Sequence, residues 1–158
     1  MIIDKKLIVS QLVQSLEHDL LVLSEAAHSA KEYVTEGDVK SEGKYDTRAI
    51  EASYLAGAQE KRVEEIKLDI QMLKDLELHP SNTIQLGSLA KIKFQNVERW
   101  YFISSTAGGS MVNVEGTSVL VISVFSPIGN AALNLEAADT FEVETPTGTR
   151  NYQIIEVC

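Results

Sequence analysis

Cysteine is nearly absent. Cys158, the last residue, has no intrachain partner, so an internal disulfide framework is excluded and a reducing cytoplasm is the expected compartment. Long apolar runs are missing too, and none approaches the roughly 20 residues that a membrane-spanning helix needs. The N-terminus, Met1-Ile2-Ile3-Asp4-Lys5-Lys6, places its charges after its first apolar residues and shows no cleavage site of small residues, which is the wrong order for a signal peptide. Basic residues are in deficit. Fourteen Lys and Arg against 23 Asp and Glu give a net charge of −9, which argues against binding nucleic acid by bulk phosphate neutralisation. Contact with nucleic acid is then expected only inside a complex that a partner builds. His18, His28 and His79 are dispersed and form no His-x-x-x-His set. Phosphate-cradling glycine motifs, dinucleotide fingerprints and a Ser/His/Asp order are all lacking. The chain is not expected to be an enzyme by itself, and no intrinsic cofactor is expected.

What is present is two kinds of pattern in 158 residues, a length that suits one medium domain or a small domain with an extension. From about Asp4 to Thr35, Leu12, Leu16, Leu20, Leu23, Ala27, Ala30 and Val34 recur at steps of four and three, which predicts a helix with one apolar stripe. From about Lys44 to Glu77 a second stripe runs through Ala52, Ala56, Gln59, Val63, Ile66, Ile70 and Leu73. It is a heptad seam with one polar position at Gln59. Each pattern covers roughly 30 residues, or on the order of 45 Å of helix. The break between them, at about residues 36–43, is short, acidic and contains glycine. It predicts an antiparallel helical hairpin over residues 1–78, in which the two stripes bury each other. Gly37 is placed to end the first helix, and Asp38 or Ser41 to cap the second. An intermolecular coiled coil is the alternative that the heptads leave open.

His79-Pro80-Ser81-Asn82 carries strong breaker chemistry, and residues 79–158 read as strands. Strands are predicted at 89–94, 98–103, 119–125, 141–144 and 151–157. Gln95-Asn96-Val97 and Pro146-Thr147-Gly148 are turns, and Ala107-Gly108-Gly109-Ser110 is a flexible loop. A short helix is predicted from Pro127 to Leu135, with Ser126 as its cap and Pro127 at its first position. The fold class is therefore α+β: a long helical hairpin followed by a small, mainly antiparallel sheet crossed by one helix. Trp100 and Tyr101 are assigned to the core or rim of that sheet.

The tip acids Glu36, Asp38 and Glu42 admit two readings. Carboxylates are hard oxygen ligands that hold or steer Mg²⁺ with its waters. Equally, an exposed loop carries acids without further purpose, and Asp38 suits a helix cap. Lys40, Lys44, Arg48, Lys61 and Arg62 either line a path for phosphates or form a solvated helix face with ordinary ion pairs; the second reading is preferred. Tyr45 and Tyr54 either pack on the seam or present a ring to a base; packing is the preferred reading.

Two stretches then point to a family. Gly37-Asp38-Val39-Lys40, followed by Tyr45, is similar to the tip pattern of the Gre family of bacterial transcript-cleavage factors. Ser126-Pro127-Ile128-Gly129-Asn130-Ala131-Ala132-Leu133, with Thr145-Pro146-Thr147-Gly148 and Tyr152-Gln153-Ile154-Ile155-Glu156-Val157, resembles that family's C-terminal signature. The run from Lys44 to Gln59 resembles a divergent Gre-like subgroup. The resemblance implies an N-terminal antiparallel coiled coil, a C-terminal domain of FKBP-like fold, and RNA polymerase as partner. It implies that the C-terminal domain docks beside the polymerase secondary channel, with Ser126 and Pro127 in the docking surface. The coiled coil enters that channel, and Asp38 and Glu42 approach the active centre to help position Mg²⁺ that belongs to the polymerase. The polymerase itself cuts the backtracked RNA, and the factor acts as a cytoplasmic monomer.

Departures from the family pattern are specific. Ser41 stands where the family carries its second tip acid, so Glu42 lies one residue late. Lys44 stands at a later tip glutamate, and Phe125 at a position usually Asn or Asp. A misplacement of this size costs catalytic geometry heavily. Stimulation and cleavage-silent occupation of the channel both remain open at this point. The rival expectation is a coiled-coil adaptor for another protein. A prolyl isomerase follows only from fold analogy, which does not establish activity.

Overall fold

A computed structural model of the protein describes residues 2–37 and 47–158; at residues 27, 30–37, 47–49 and 52–54 it describes the backbone. Helix α1 spans Lys5–Gly37 and helix α2 spans Thr47–Lys74. Asp4 starts α1: its Oδ1 accepts from the Lys6 backbone N–H at 2.9 Å, and its carbonyl accepts from Leu7 and Ile8. This is the N-cap arrangement that satisfies donors otherwise orphaned at a helix start. No proline falls within either helix. At 33 residues α1 is about 50 Å long. The chain then forms β1 (Leu89–Phe94), β2 (Val97–Ser104), β3 (Met111–Val114), β4 (Thr117–Ser123), α3 (Pro127–Ala132), β5 (Thr140–Thr145) and β6 (Gly148–Val157).

The chain divides into two compact units. One joins Met1–Leu12 to Met72–Cys158; the other is Val13–Gln71. The roots of both helices thus fold with the sheet. In the helical unit, Val13, Ala56, Val63, Ile66 and Ile70 are buried, and Leu16, Leu20 and Leu23 are half-buried. All of these except Val13 are predicted stripe positions, and the side chains of Ala27, Ala30, Val34 and Ala52, also predicted, lie outside those described. His18, Asp19, Val22 and Leu23 of α1 share an open cleft with Arg62 and Ile66 of α2, as two helices of a hairpin do. Gln59, the polar seam position, is half-buried, and its Oε1 has no hydrogen-bond partner among the described residues.

In the other unit six strands form one sheet in the order β3-β4-β2-β1-β6-β5. The pairings β1–β2, β1–β6, β3–β4 and β5–β6 are antiparallel, and β2–β4 is parallel. Side chains alternate between the faces of a strand. One face carries Ile92, Tyr101, Ile103, Ile122, Phe141 and Ile154 in a core that includes Ala132 of α3. Along it Phe94, Tyr152 and Phe141 stack, with ring centroids 5.0 and 5.1 Å apart. The opposite face carries Leu89, Phe102, Val112, Val119 and Val121, all buried. Within the same unit Gln11 of α1 donates to the Asn113 carbonyl of β3 at 2.8 Å, and Lys5 donates to the His79 carbonyl at 2.8 Å. The final residue closes the sheet, since Cys158 and Leu89 exchange both backbone hydrogen bonds.

The strand predicted at 89–94 occupies those residues, and the other predicted strands shift or lengthen by up to three residues at their ends. Three features differ from expectation. Strand β3 was not predicted. Its four residues are short, but Val112 and Val114 alternate with exposed neighbours ahead of a Glu115-Gly116 turn, and that was the available signal. The loop 107–110, expected to be flexible, is hydrogen-bonded: Gly109 donates to the Val121 carbonyl at 2.8 Å, and Val121 donates to the Ser110 carbonyl at 2.8 Å. The chain leaves β2, passes to the sheet edge as β3, and returns as β4 between β3 and β2, so this loop serves as part of the ladder. Helix α3 is also shorter than predicted. It stops at Ala132 because Leu133 turns extended (φ −57°, ψ 139°) and Asn134 is left-handed (φ 65°), after which Asn134 and Leu135 bond to Ile84.

Candidate functional site

Two places were singled out by sequence. The hairpin tip, with Asp38, Ser41, Glu42, Lys44 and Tyr45, lies outside the described residues, as do the side chains of Glu36, Arg48 and Tyr54. Among the described residues no group of three or more His, Cys, Asp or Glu is placed to hold a metal ion. Below the tip, Arg62 pairs with Glu65 at 3.2 Å and Lys67 with Glu64 at 2.9 Å, both within α2 and both exposed. That is the solvated, ion-paired helix face expected for Arg62. Such pairs stabilise a helix by a few tenths of a kcal/mol each.

The Ser126-Pro127 segment is fully described and tightly built. Ser126 adopts extended backbone angles (φ −75°, ψ 155°), and its Oγ accepts from the Gly129 backbone N–H at 3.1 Å. The same hydroxyl donates to the Ser123 carbonyl at 2.7 Å, so its proton and one lone pair are committed to the fold. The Ser126 carbonyl accepts the first helical bond, from Asn130 at 2.8 Å. Pro127 occupies the first helical turn, where its missing N–H costs nothing. Ser126 is half-buried and Pro127 exposed, so Ser126 sets the shape of this surface while Pro127 presents it.

Sequence reasoning missed Ser123, on which the segment converges. Its Oγ accepts from the Phe125 N–H at 3.1 Å, and its carbonyl accepts from the Ser126 N–H at 3.0 Å. A Cβ on Gly129 would lie 1.9 Å from the Ser123 carbonyl oxygen, and one on Gly108 would lie 3.0 Å from the Ser123 Cβ. Close approach is therefore why glycine stands at 129. The neighbouring Val124 N–H donates to the Ser104 carbonyl at 2.9 Å. The result is a loop of 123–126 with its backbone fixed at successive residues and the Phe125 ring left in solvent.

Perturbed titrating groups lie elsewhere in this unit and point to no reaction. Burial lowers the Lys5 ammonium, which a nearby Cys158 thiolate opposes. Burial raises the Tyr101 hydroxyl. Burial also raises the Cys158 thiol, and the Glu156 carboxylate adds to that shift. His79 is exposed and lies 3.0 Å from Glu77 through its Nε2.

Comparison with known proteins bears on this segment directly. The model of the GreA/GreB transcription elongation factor C-terminal family matches residues 79–158. The transcription elongation factor GreA of Christiangramia forsetii is 29% identical over 136 residues, which cover 85% of this chain and 79% of that protein. GreA of Alkaliphilus oremlandii is 24% identical over 168 residues, covering 99% of each. Among solved structures, Gfh1 of Thermus aquaticus aligns over 91% of this chain and 92% of its own, with a TM-score of 0.40 and 22% identity.

Proposed function

The chain belongs to the GreA/GreB family of transcription elongation factors, and from that premise we propose that it binds RNA polymerase, inserts its hairpin tip into the secondary channel and modulates cleavage of backtracked RNA. One observation carries the reading: a family-matched sheet region at 79–158 is joined to helices of 33 and 28 residues. A helix of about 50 Å is long enough to deliver side chains into a deep channel. In this reading the hairpin is an antiparallel coiled coil and the sheet region is FKBP-like. The sheet region docks outside the channel through the surface that Ser126 shapes and Pro127 presents.

Catalysis belongs to the polymerase, and the protein is not an enzyme on its own. Two metal ions clamping an in-line displacement at phosphorus is the chemistry the polymerase supplies. Asp38 and Glu42 contribute hard carboxylate oxygens toward the polymerase-bound Mg²⁺. The protein acts as a monomer and meets nucleic acid only within the elongation complex.

A stalled, backtracked elongation complex tests this. The protein is added, and RNA cleavage is followed together with competition against a GreA factor. Cleavage above the polymerase's own rate means that the tip acids organise metal and water. Competition without cleavage means that the protein occupies the channel as an inhibitor. Neither effect, at concentrations well above those GreA needs, refutes the reading and favours an adaptor for another protein. Asp38→Ala is expected to abolish any cleavage effect and to leave competition intact.

A further inference from the structure

The charged side chains of the sheet are sorted by face. Glu98, Glu142, Glu144 and Glu156 stand opposite Lys93, Asn151, Thr149 and Lys91 in the ladders, and all of them lie on one face. The other face, that of Phe94 and Tyr152, carries Arg99 opposite Ile92 and Arg150 opposite Val143, and no strand carboxylate. Arg150 lines an open cleft of about 530 Å³ together with Phe94, Gln95, Thr147 and Asn151. Its guanidinium carbon lies 5.4 Å from the centroid of the Phe94 ring, which stacks on Tyr152, and among the described residues it makes no ion pair. One wall of the cleft is an uncovered strand edge. Pairing of β6 with β1 begins at Tyr152, so residues 148–151 are laddered to β5 alone, and alternate residues turn their backbone N–H and C=O away from β5. Gln95, left-handed at φ 56°, reaches the cleft from the tight turn between β1 and β2. The lining therefore holds a guanidinium, side-chain amides and hydroxyls and no carboxylate, on a chain of net charge −9.

We propose that this cleft binds a phosphate group, borne by a free nucleotide or by single-stranded RNA, with Arg150 as its principal contact. A guanidinium presents parallel N–H donors that match two phosphate oxygens, and its contact with the Phe94 ring orients that fork before a ligand arrives. The uncovered edge of β6 and the Gln95 and Asn151 amides supply donors for the remaining oxygens. The rim is fixed by the hairpin itself: the Thr145 hydroxyl donates to the Gly148 carbonyl at 2.7 Å and lies 3.2 Å from the Thr147 hydroxyl. Arg99 is a second cation on the same face, two strands away and on the order of 10 Å across the sheet, within reach of a bound RNA strand but not of a lone nucleotide in the cleft. Strand β2 begins at this end of the sheet, and β4, parallel to it, finishes at the other. The cleft is thus remote from the 123–126 loop, and its binding does not depend on the polymerase reading.

The experiment is an NMR titration of the isotope-labelled full-length protein with inorganic phosphate, uridine monophosphate and a short oligouridylate, at matched ionic strength. The amide signals of Gln95 and of residues 147–151, and the Arg150 Nε–H signal, are expected to shift with millimolar ligand. Arg150→Gln is expected to weaken binding about tenfold or more, and Arg150→Lys, which keeps the charge and loses the planar fork, only a few-fold. Thermal unfolding of each variant, expected to be unchanged because Arg150 is exposed, controls for folding. Oligouridylate that binds about tenfold more tightly than uridine monophosphate, with a gain that Arg99→Gln reduces, assigns the phosphate to an RNA strand. Oligouridylate that binds no more tightly assigns it to a free phosphate ester, and either result upholds the site. Signals at the cleft that move with none of the three ligands would overturn the proposal. So would an Arg150→Gln protein that binds within about twofold of wild type.

Discussion

The sheet unit and the helical unit solve the burial problem differently. The sheet has apolar residues on both faces, so Phe102 and Ile103, adjacent in β2, are each fully buried on opposite sides. The helical unit, Val13–Gln71, depends on a single stripe along each helix. Leu21, Val22, Ile50, Leu55 and Leu68 are exposed there, and a half-buried Gln59 interrupts the seam. A narrow stripe keeps a hairpin slender and limits its stability, since most helical stability in proteins comes from packing an apolar face. A two-faced sheet gives a rigid base on which a loop such as 123–126 holds its geometry.

Core truncation should separate the units most sharply. Phe102→Ala, at a side chain with no exposure, is expected to cost about 4 kcal/mol. Leu68→Ala, at a side chain 64% exposed, should stay within about 0.5 kcal/mol. Urea unfolding of both variants measures this, and equal losses would break the contrast. Gly129→Ala comes next, at about 3 kcal/mol, because its Cβ meets the Ser123 carbonyl oxygen at 1.9 Å and backbone must shift. A melting temperature equal to wild type would show that the loop yields. In the helical unit Gln59→Leu is expected to stabilise by about 1 kcal/mol by removing a buried acceptor that has no partner among the described residues. Thermal melts followed by helical circular dichroism read the gain, and a loss would mean that the amide has a role in the seam.

Smaller effects refine the sheet side. Ala138 sits at φ 78°, a left-handed conformation that disfavours any Cβ, so Ala138→Gly should gain about 0.5 kcal/mol in the same unfolding assay. The raised Cys158 thiol should alkylate more slowly near neutral pH in the folded protein than after denaturation, because the thiolate is the reactive form. Its linkage has a definite sign. The folded state holds this proton more tightly than the unfolded state, so the associated stability is present below the ordinary thiol range and is lost as pH rises through the folded value. Iodoacetamide labelling across pH checks the direction.

Much of this was legible because local rules and tertiary packing agree. The helical stripes, the Ser126 cap with Pro127 at the first turn, strand β1 and the Pro146-Thr147 turn each follow from spacing or from backbone chemistry that a few neighbouring residues define. Strand β3 was illegible because four residues carry too little periodicity to stand against the glycine-rich stretch before them. Ser123 was missed for a related reason. A serine at the end of an apolar strand has no distinguishing local pattern, and it matters through the backbone groups that the turn brings to it.

Sequence alone determined the division into helices and strands, the acidic break between the helices, and the family signature at 126–133, because each rests on spacing within one short segment. Tertiary structure decided that Met1–Leu12 and Met72–Cys158 form one compact unit, that β2 and β4 run parallel, and that Gly129 is required by an oxygen six residues earlier. It also decided that Phe125 stands in solvent on a fixed loop. These depend on contacts between segments distant along the chain or on the exact approach of two backbones, and neither leaves a period or a motif in the residues themselves.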